Sequence, residues 1–258
     1  MQTKTILITG GATRLGNIIA QYFAKKNYNL AIHYNTSGNN AQKLVHELSS
    51  IGAASKKERN NTVSLNPQSK TKQKIKAYQA DLLDPLSSKN LINNVMNDFS
   101  SIDILINNAS IYEKISFLDT NYQAITENFN LHLMAPFFLI QNFAKLHNKG
   151  HVINITDTRI TKNKTGYFPY LLSKKSLSNL TSMLATELAP EIKVNEICPG
   201  KILPSKDSNA DISDDVLKAK LPNKDIANTN QIIEAINFII KNNPIGQKFF
   251  IDGGEHLL

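Results

Sequence analysis

The sequence predicts an α/β domain: a single doubly wound unit over residues 1–258, with a parallel seven-stranded sheet and helices on both faces. Three observations carry this. Apolar strand-like runs alternate with helical periodicities almost from end to end, which favours right-handed βαβ crossovers over hairpins. A glycine-rich turn, T9-G-G-A-T-R14-L-G16, lies between the first such strand and the first such helix. The length, 258 residues, suits one α/β core.

The elements follow in order. Thr3 to Thr9 reads as a buried strand and Leu15 to Lys25 as an amphipathic helix. Asn29 to Tyr34 gives a second strand and Asn40 to Ser49 a second helix. Lys76 to Gln79 and Pro85 to Phe99 form the third pair. Asp103 to Asn107 is the fourth strand, followed by one long helix from Tyr122 to Leu146. His151 to Ile155 is the fifth, with a second long helix from Tyr170 to Leu188. Lys193 to Ile197 is the sixth strand. Gln231 to Lys241 is the last helix and Gln247 to Ile251 the seventh strand. A long polar segment, 201–224, follows a strand end and is the expected lid over a site. The chain carries no internal repeat and no interdomain linker.

Composition narrows the class. At 41% hydrophobic and 7% aromatic residues the chain has the balance of a soluble globular protein. Its longest apolar run, Leu133 to Ile140, is too short to span a bilayer. A strand begins close to the N-terminus, leaving no room for a signal peptide, and the single cysteine, Cys198, suits a reducing cytoplasm. Cys198 sits in an apolar stretch and reads as packing rather than as a nucleophile. The net charge is +8, and the stretch from Lys56 to Lys76 supplies +6 of it through seven basic residues and Glu58. Residues 52–76 therefore read as a basic, solvated surface insertion. No aromatic interleaves those charges before Tyr78, so neither a nucleic-acid nor a membrane partner is expected.

The chemistry concentrates in D157-x12-Y170-L-L-S-K174. Tyr170 and Lys174, four apart on a helix, project from one face. An ammonium beside a phenol favours phenolate, so the pair reads as a tuned acid with a lowered Tyr170 pKa. Asp157, at the end of the fifth strand, can converge on the same phenol. No metal site is expected.

The turn at residues 9–16 reads as a dinucleotide cradle: glycines let backbone approach a pyrophosphate, and the helix start supplies free N–H groups. Gly10, Thr13, Arg14 and Leu15 are its candidate contacts. Arg14 reads either as a phosphate or ligand partner or as a solvated helix-start arginine. After the second strand, Asn35, Thr36 and Ser37 take the place of a ribose-binding carboxylate, which favours NADP(H) over NAD(H). Asp81, followed by Leu82, suits an adenine amino group or a helix cap.

Together these residues resemble the short-chain dehydrogenase/reductase family over essentially the whole chain. The resemblance rests on T9-G-G-A-T-R14-L-G16, N107-N-A-S110, Y170-x-x-x-K174, Pro199-Gly200 and D252-G-G254. Within the family it is similar to the pteridine reductase branch, above all the bacterial dihydromonapterin reductases. Arg14, Ser110, Tyr112, Asp157 in a usual serine position, H132-L-M-A-P-F, L188-A-P-E-I-K-V-N195 and D252-G-G-E-H-L257 mark it.

The resemblance implies a Rossmann-type fold, an NADP(H) cofactor and a pterin substrate. Tyr170 would donate the proton, and Lys174 would bind the nicotinamide ribose and tune Tyr170. Asp157 would orient the pterin, Tyr112 would stack on it, and Arg14 and Ser110 would touch pterin and cofactor phosphates. His132 stands where the family often places an asparagine of a water relay; it reads as its substitute or as a plain polar helix residue. Asn108, Ala109, Ser110, Pro199, Gly200 and Ile202 complete the implied cofactor contacts. A homotetramer is implied by the resemblance alone. The chain departs from the branch in the turn after the second strand, which lacks the arginine that pteridine reductases commonly use for a 2′-phosphate.

Three functions are open at this stage. The first is NADPH-dependent reduction of 7,8-dihydropterins, including dihydromonapterin and by extension dihydrobiopterin or dihydrofolate. The second is 3-oxoacyl carrier-protein or general carbonyl reduction, which normally uses serine at the position of Asp157. The third is a nucleotide-sensing protein without catalysis, which would not need the Tyr170–Lys174 pair.

Overall fold

The structure is a computed structural model describing residues 3–59, 73–163, 165–203 and 213–258. Seven parallel strands, β1 (Thr5–Ile8), β2 (Asn29–Tyr34), β3 (Ile75–Gln79), β4 (Ile104–Asn107), β5 (Gly150–Ile155), β6 (Ile192–Pro199) and β7 (Lys248–Ile251), form one sheet. Its order is β3-β2-β1-β4-β5-β6-β7. The chain winds outward from β1 to β3, then returns to β4 and winds the other way. Loops leaving β1 and β4 therefore diverge, opening a crevice at their C-terminal ends.

Side-chain alternation explains the two layers. Ile6 and Ile8 of β1, with Ile104 and Ile106 of β4, enter one fully buried cluster, while Leu7 and Leu105 enter the other. Helices α1 (Arg14–Lys25), α2 (Gly38–Arg59) and α8 (Thr229–Asn242) belong to the first face. α3 (Pro85–Phe99), α5 (Ala135–Leu146) and α6 (Phe168–Glu187) cover the second. In α1 the buried residues are Gly16, Ile19, Ala20, Phe23 and Ala24, one stripe of an α-helix. Each fully buried Ile, Leu or Phe contributes about 1.5–3 kcal/mol relative to exposure. α3 starts at Pro85 behind Asp84, whose carboxylate accepts from Leu86 N at 3.1 Å. α8 starts with a reciprocal Asn228–Gln231 capping box.

Three element boundaries differ from the sequence reading. α2 runs on to Arg59 instead of stopping near Ser49; of the expected insertion 52–76, residues 60–72 lie outside the described residues. The expected long helix from Tyr122 to Leu146 is divided. α4 (Tyr122–Phe129) passes through a π-helical turn, Asn130–Met134, before α5 begins. One extra residue shifts the helical phase by about 100°, and the dense apolar run from Leu131 to Ile140 hides that shift from the sequence pattern. In the polar segment 201–224, residues 204–212 lie outside the described residues and a short helix, α7 (Asp214–Lys220), follows. No helix among the described residues is long and apolar enough to cross a membrane.

Candidate active site

The crevice between β1 and β4 is shaped by backbone. Gly10 has φ +60°, and Arg14 also has a positive φ, +50°, an uncommon conformation for a residue with a Cβ. A Cβ on Gly16 would run into the Gly10 carbonyl oxygen and come within 2.8 Å of Asn108 Nδ2, so helix and turn touch there. Thr13 precedes α1 in an extended conformation without a side-chain cap, and no acid lies in the first turn. The N–H groups at this helix start are thus arranged for an anionic group. Leu15 packs against the core below the turn.

The β4 loop is stitched to the glycine turn. Thr9 Oγ1 accepts from Asn108 N at 2.9 Å and Ala109 N at 3.0 Å, and Asn108 Nδ2 donates to the Thr9 and Gly10 carbonyls at 2.9 and 3.2 Å. A histidine that the sequence reading passed over ties the turn from the other side. His33 Nδ1 accepts from Gly10 N at 3.0 Å, and its Nε2 lies 3.0 Å from the Ala80 carbonyl. Donation to Ala80 fixes the neutral tautomer with Nδ1 free to accept. At the β2 end, Asn35 and Thr36 are exposed and Ser37 is half-buried. Asn35 Nδ2 donates to Asp81 Oδ1 at 3.2 Å, and the same oxygen accepts from Leu83 N at 3.1 Å. Leu82 turns into the core.

Asp157, Tyr170 and Lys174 come together across β5 and α6. Tyr170 and Lys174 lie on the face of α6 that also packs Leu177, Ser178 and Thr181 against the sheet. The Tyr170 hydroxyl donates to Asp157 Oδ2 at 2.8 Å. Lys174 Nζ donates to the Ile155 carbonyl at 2.8 Å and lies 5.8 Å from the Tyr170 ring centre. Burial pulls Lys174 down to about 8, opposed by the Asp157 and Glu196 carboxylates. Tyr170 departs from the sequence expectation. Its pKa is raised well above the usual phenol value, first by burial and then by the Asp157 carboxylate it donates to. Burial and the carboxylate at hydrogen-bond distance together outweigh the Arg159 guanidinium, which pulls the other way.

Arg159, also unremarked in the sequence, completes the group. The 3₁₀ turn Thr158–Thr161 starts at Asp157, whose Oδ1 accepts from Arg159 N at 2.8 Å and Nε at 3.0 Å. Arg159 Nη2 reaches Oδ2 at 3.0 Å, making a bidentate ion pair. The guanidinium also lies 5.2 Å from the ring centres of both Tyr112 and Tyr167. Tyr112 stacks on Tyr167, centres 4.5 Å apart and planes at 17°, and meets Tyr170 edge-on. One face of Tyr112 is therefore covered by Tyr167.

His132 lies in the π-helical turn and is buried. Its Nδ1 is 2.8 Å from Ser173 Oγ, whose own proton goes to the Tyr170 carbonyl, so Nδ1 carries the hydrogen. Nε2 then accepts from Ile111 N at 3.2 Å and faces Ser110 Oγ at 3.0 Å. Both ring nitrogens are thus engaged by protein groups. On the far side, Gly200 lies against Asp252, where a Cβ would come within 2.9 Å of Asp252 Cβ. Asp252 accepts from Thr158 Oγ1, Gly254 N and His256 N, tying the D252-G-G254 motif to the turn after Asp157. Pro199 ends β6, and Ile202 packs on the core beyond it. Cys198 is fully buried, and burial pushes its thiol above the ordinary range, as a packing role requires. No cluster of metal-binding side chains occurs among the described residues.

A family model of the short-chain dehydrogenase type, described as enoyl-(acyl carrier protein) reductase, matches residues 51–256. The chain belongs to the short-chain dehydrogenase/reductase family. The 3-oxoacyl-[acyl-carrier-protein] reductase of Staphylococcus epidermidis is 26% identical, covering 98% of this chain and 99% of that protein. The dihydromonapterin reductase of an Enterobacter species is 24% identical over 98% of this chain and 97% of its own. Among solved structures, the FolM alternative dihydrofolate reductase 1 from Brucella canis complexed with NADP superposes with a TM-score of 0.83. It is 28% identical and covers 99% of this chain and 95% of that one. The resemblance to the pteridine reductase branch fits these relatives.

In this short-chain dehydrogenase/reductase the buried histidines are expected to contribute to the loss of stability in acid. Burial lowers His33 and His151 to about 4, and His132 falls well below its ordinary value of 6.5. Folded values below the unfolded one mean the neutral forms stabilise the fold. That contribution is complete above about 6.5 and is lost as pH falls through about 4. The urea midpoint is expected to fall steeply between pH 6.5 and 4, and less steeply in a His33→Gln variant. Equal slopes in the two proteins would remove His33 from this account.

Proposed function

We propose that this chain is an NADPH-dependent reductase of 7,8-dihydropterins. The observation that carries the reading is the carboxylate of Asp157, bidentate to Arg159 and 2.8 Å from the Tyr170 hydroxyl, where a carbonyl reductase uses a serine. A carboxylate accepts hydrogen bonds from amino and ring N–H groups of a pterin, which a hydroxyl does less well.

The cofactor is NADP(H), with which several similar solved structures are complexed. The uncapped helix start, the Gly10 conformation and the Gly10–Gly16 contact suit its pyrophosphate. Gly10, Thr13, Arg14 and Leu15 would hold that end, and Asn35, Thr36 and Ser37 the 2′-phosphate. Asp81 and Leu82 would border the adenine. Asn108 to Ser110, Lys174, Pro199, Gly200 and Ile202 would border the nicotinamide half. When bound, the cofactor supplies a hydride; the protein supplies orientation and the proton.

Tyr170 is the proton donor in this reading. Its hydroxyl gives its proton to the substrate nitrogen as the C=N bond becomes CH–NH. The Lys174 ammonium offsets the phenolate left behind. Asp157 already accepts from Arg159 N, Nε and Nη2 and from the Tyr170 hydroxyl, so it takes a pterin N–H in exchange for one Arg159 side-chain contact. Arg159 keeps that carboxylate fixed and charged. Tyr112, Ser110 and Arg14 border the ring, and His132 holds Ser110 and the Ile111 backbone in place. Segment 201–224 is the proposed lid. The enzyme works in the cytoplasm as a homotetramer in this reading, as the resemblance implies.

A second reading, 3-oxoacyl reduction, is favoured by the staphylococcal relatives. A substrate panel decides between them. Purified protein is expected to oxidise NADPH much faster with dihydromonapterin or dihydrobiopterin than with acetoacetyl thioesters, and faster with NADPH than with NADH. The reverse substrate ranking would transfer the chain to the carbonyl reductases.

A further inference from the structure

A buried polar row crosses four strands beneath α6. In pairing register Asn107 lies beside Asn154, Asn154 beside Glu196, and Glu196 beside Lys248. Asn107 Nδ2 donates to Asn154 Oδ1 at 2.8 Å, and Asn154 Nδ2 donates to Thr181 Oγ1 at 2.8 Å. Ser178 Oγ donates to Glu196 Oε1 at 2.7 Å, and Lys248 Nζ lies 3.1 Å from the same oxygen. Lys174, Ser178 and Thr181 are spaced i, i+4 and i+7, so one stripe of α6 rests on this row with Lys174 at its end.

Glu196 is the anomaly in the row. Its side chain is 0% exposed, whereas that of Lys248 keeps 37% on the edge strand. A charged carboxylate in such a place is expensive unless opposite charge offsets it. Ser178 and Lys248 account for one oxygen only. Oε2 is buried without a hydrogen-bond partner among the described residues. One helical turn from Ser178 stands Lys174, buried, with a single carbonyl as its hydrogen-bond partner.

We propose that Glu196 is a positioning residue for the reaction: pinned by Ser178 and Lys248, it is the fixed counter-charge that holds Lys174 cationic from behind. Asp157 does the same from the substrate side. The proposal rests on the reading of Tyr170 and Lys174 as the acid pair. Several titratable or charged groups lie around Lys174 or along the row that ends at it. Tyr170 comes from its own helix, His132 from the π-helical turn, and Asp157 with Arg159 from the end of β5. Glu196 and the Cys198 thiol come from β6, and Lys248 from β7. Tyr170, His132 and Cys198 are neutral there, and Arg159 and Lys248 are each paired to a carboxylate. That leaves Asp157 and Glu196 to oppose the burial of the ammonium.

Two variants act in opposite directions. Glu196→Gln keeps the size and the contacts to Ser178 and Lys248 and removes the charge. Lys248→Met keeps Glu196 charged and removes its ion pair. In protein labelled with ¹³Cε-lysine, the Lys174 signal is assigned by its loss in Lys174→Met and followed against pH. Its midpoint is expected to fall by about one unit in Glu196→Gln and to rise in Lys248→Met. The alkaline limb of kcat/KM should move in the same directions. An unmoved midpoint in Glu196→Gln overturns the proposal, and so does a moved midpoint with an unmoved rate limb. Should Glu196→Gln fail to fold, Lys248→Met decides by the presence or absence of the upward shift. The ¹³C titration needs no substrate, so a wild-type protein inert toward dihydropterins would refute the functional reading separately.

Discussion

Tyr170→Phe is expected to lower turnover by about 100- to 10,000-fold, the range for losing a positioned general acid, while leaving NADPH affinity nearly unchanged. The phenyl ring still fills the buried site between His132 and Tyr112, so packing is preserved. What goes is the hydroxyl that donates to Asp157 at 2.8 Å. Arg159 continues to satisfy both oxygens of that carboxylate, so no buried charge is stranded. Steady-state NADPH oxidation measures the first effect and a cofactor fluorescence titration the second. Wild-type turnover in this variant would end the assignment of Tyr170 as the acid.

Asp157→Ser is expected to have the next largest effect, and a selective one. Pterin reduction should fall by at least about tenfold, the loss from one charge-assisted hydrogen bond of roughly 1.5–3 kcal/mol. Reduction of a simple carbonyl should be spared, because a hydroxyl can still meet the Tyr170 phenol. The variant also deprives Arg159 of its partner, at a cost of about 1–3 kcal/mol in stability. Adding Arg159→Met should recover stability without recovering pterin turnover. Parallel recovery of both would mean that Asp157 acts only by holding the turn. An unchanged pterin rate in Asp157→Ser would return the discussion to carbonyl substrates.

Much of this site was legible because it is built from local spacing. The Tyr170–Lys174 pair needs only a helix, and the turn at residues 9–16 needs only a strand before it and a helix after it. Asp157 was visible as a polar residue ending an apolar run. The ion pair between Asp157 and Arg159 was not, because it depends on Asp157 capping the short 3₁₀ turn that follows, which brings Arg159 back onto its carboxylate. His33 was hidden for a different reason. It alternates inward on a buried strand like its apolar neighbours, and its two partners, Gly10 and Ala80, belong to loops far apart in sequence. The pairing of Glu196 with Lys248 depends on the register of β6 against β7, which no local pattern encodes. The raised Tyr170 pKa needed the fold: it comes from the burial of the phenol and from the Asp157 carboxylate placed at 2.8 Å, neither of which sequence separation shows.

The π-helical turn at Asn130–Met134 puts regularity and activity in opposition. Deleting a single residue there would let α4 run into α5 as an unbroken α-helix, with better hydrogen bonding. The same deletion would rotate one segment against the other by about 100°. Either His132 would leave Ser110 and Ser173, or the buried stripe of α5 would leave the sheet. The extra residue is therefore a phase correction, letting one helix serve two surfaces that no ideal helix could face together.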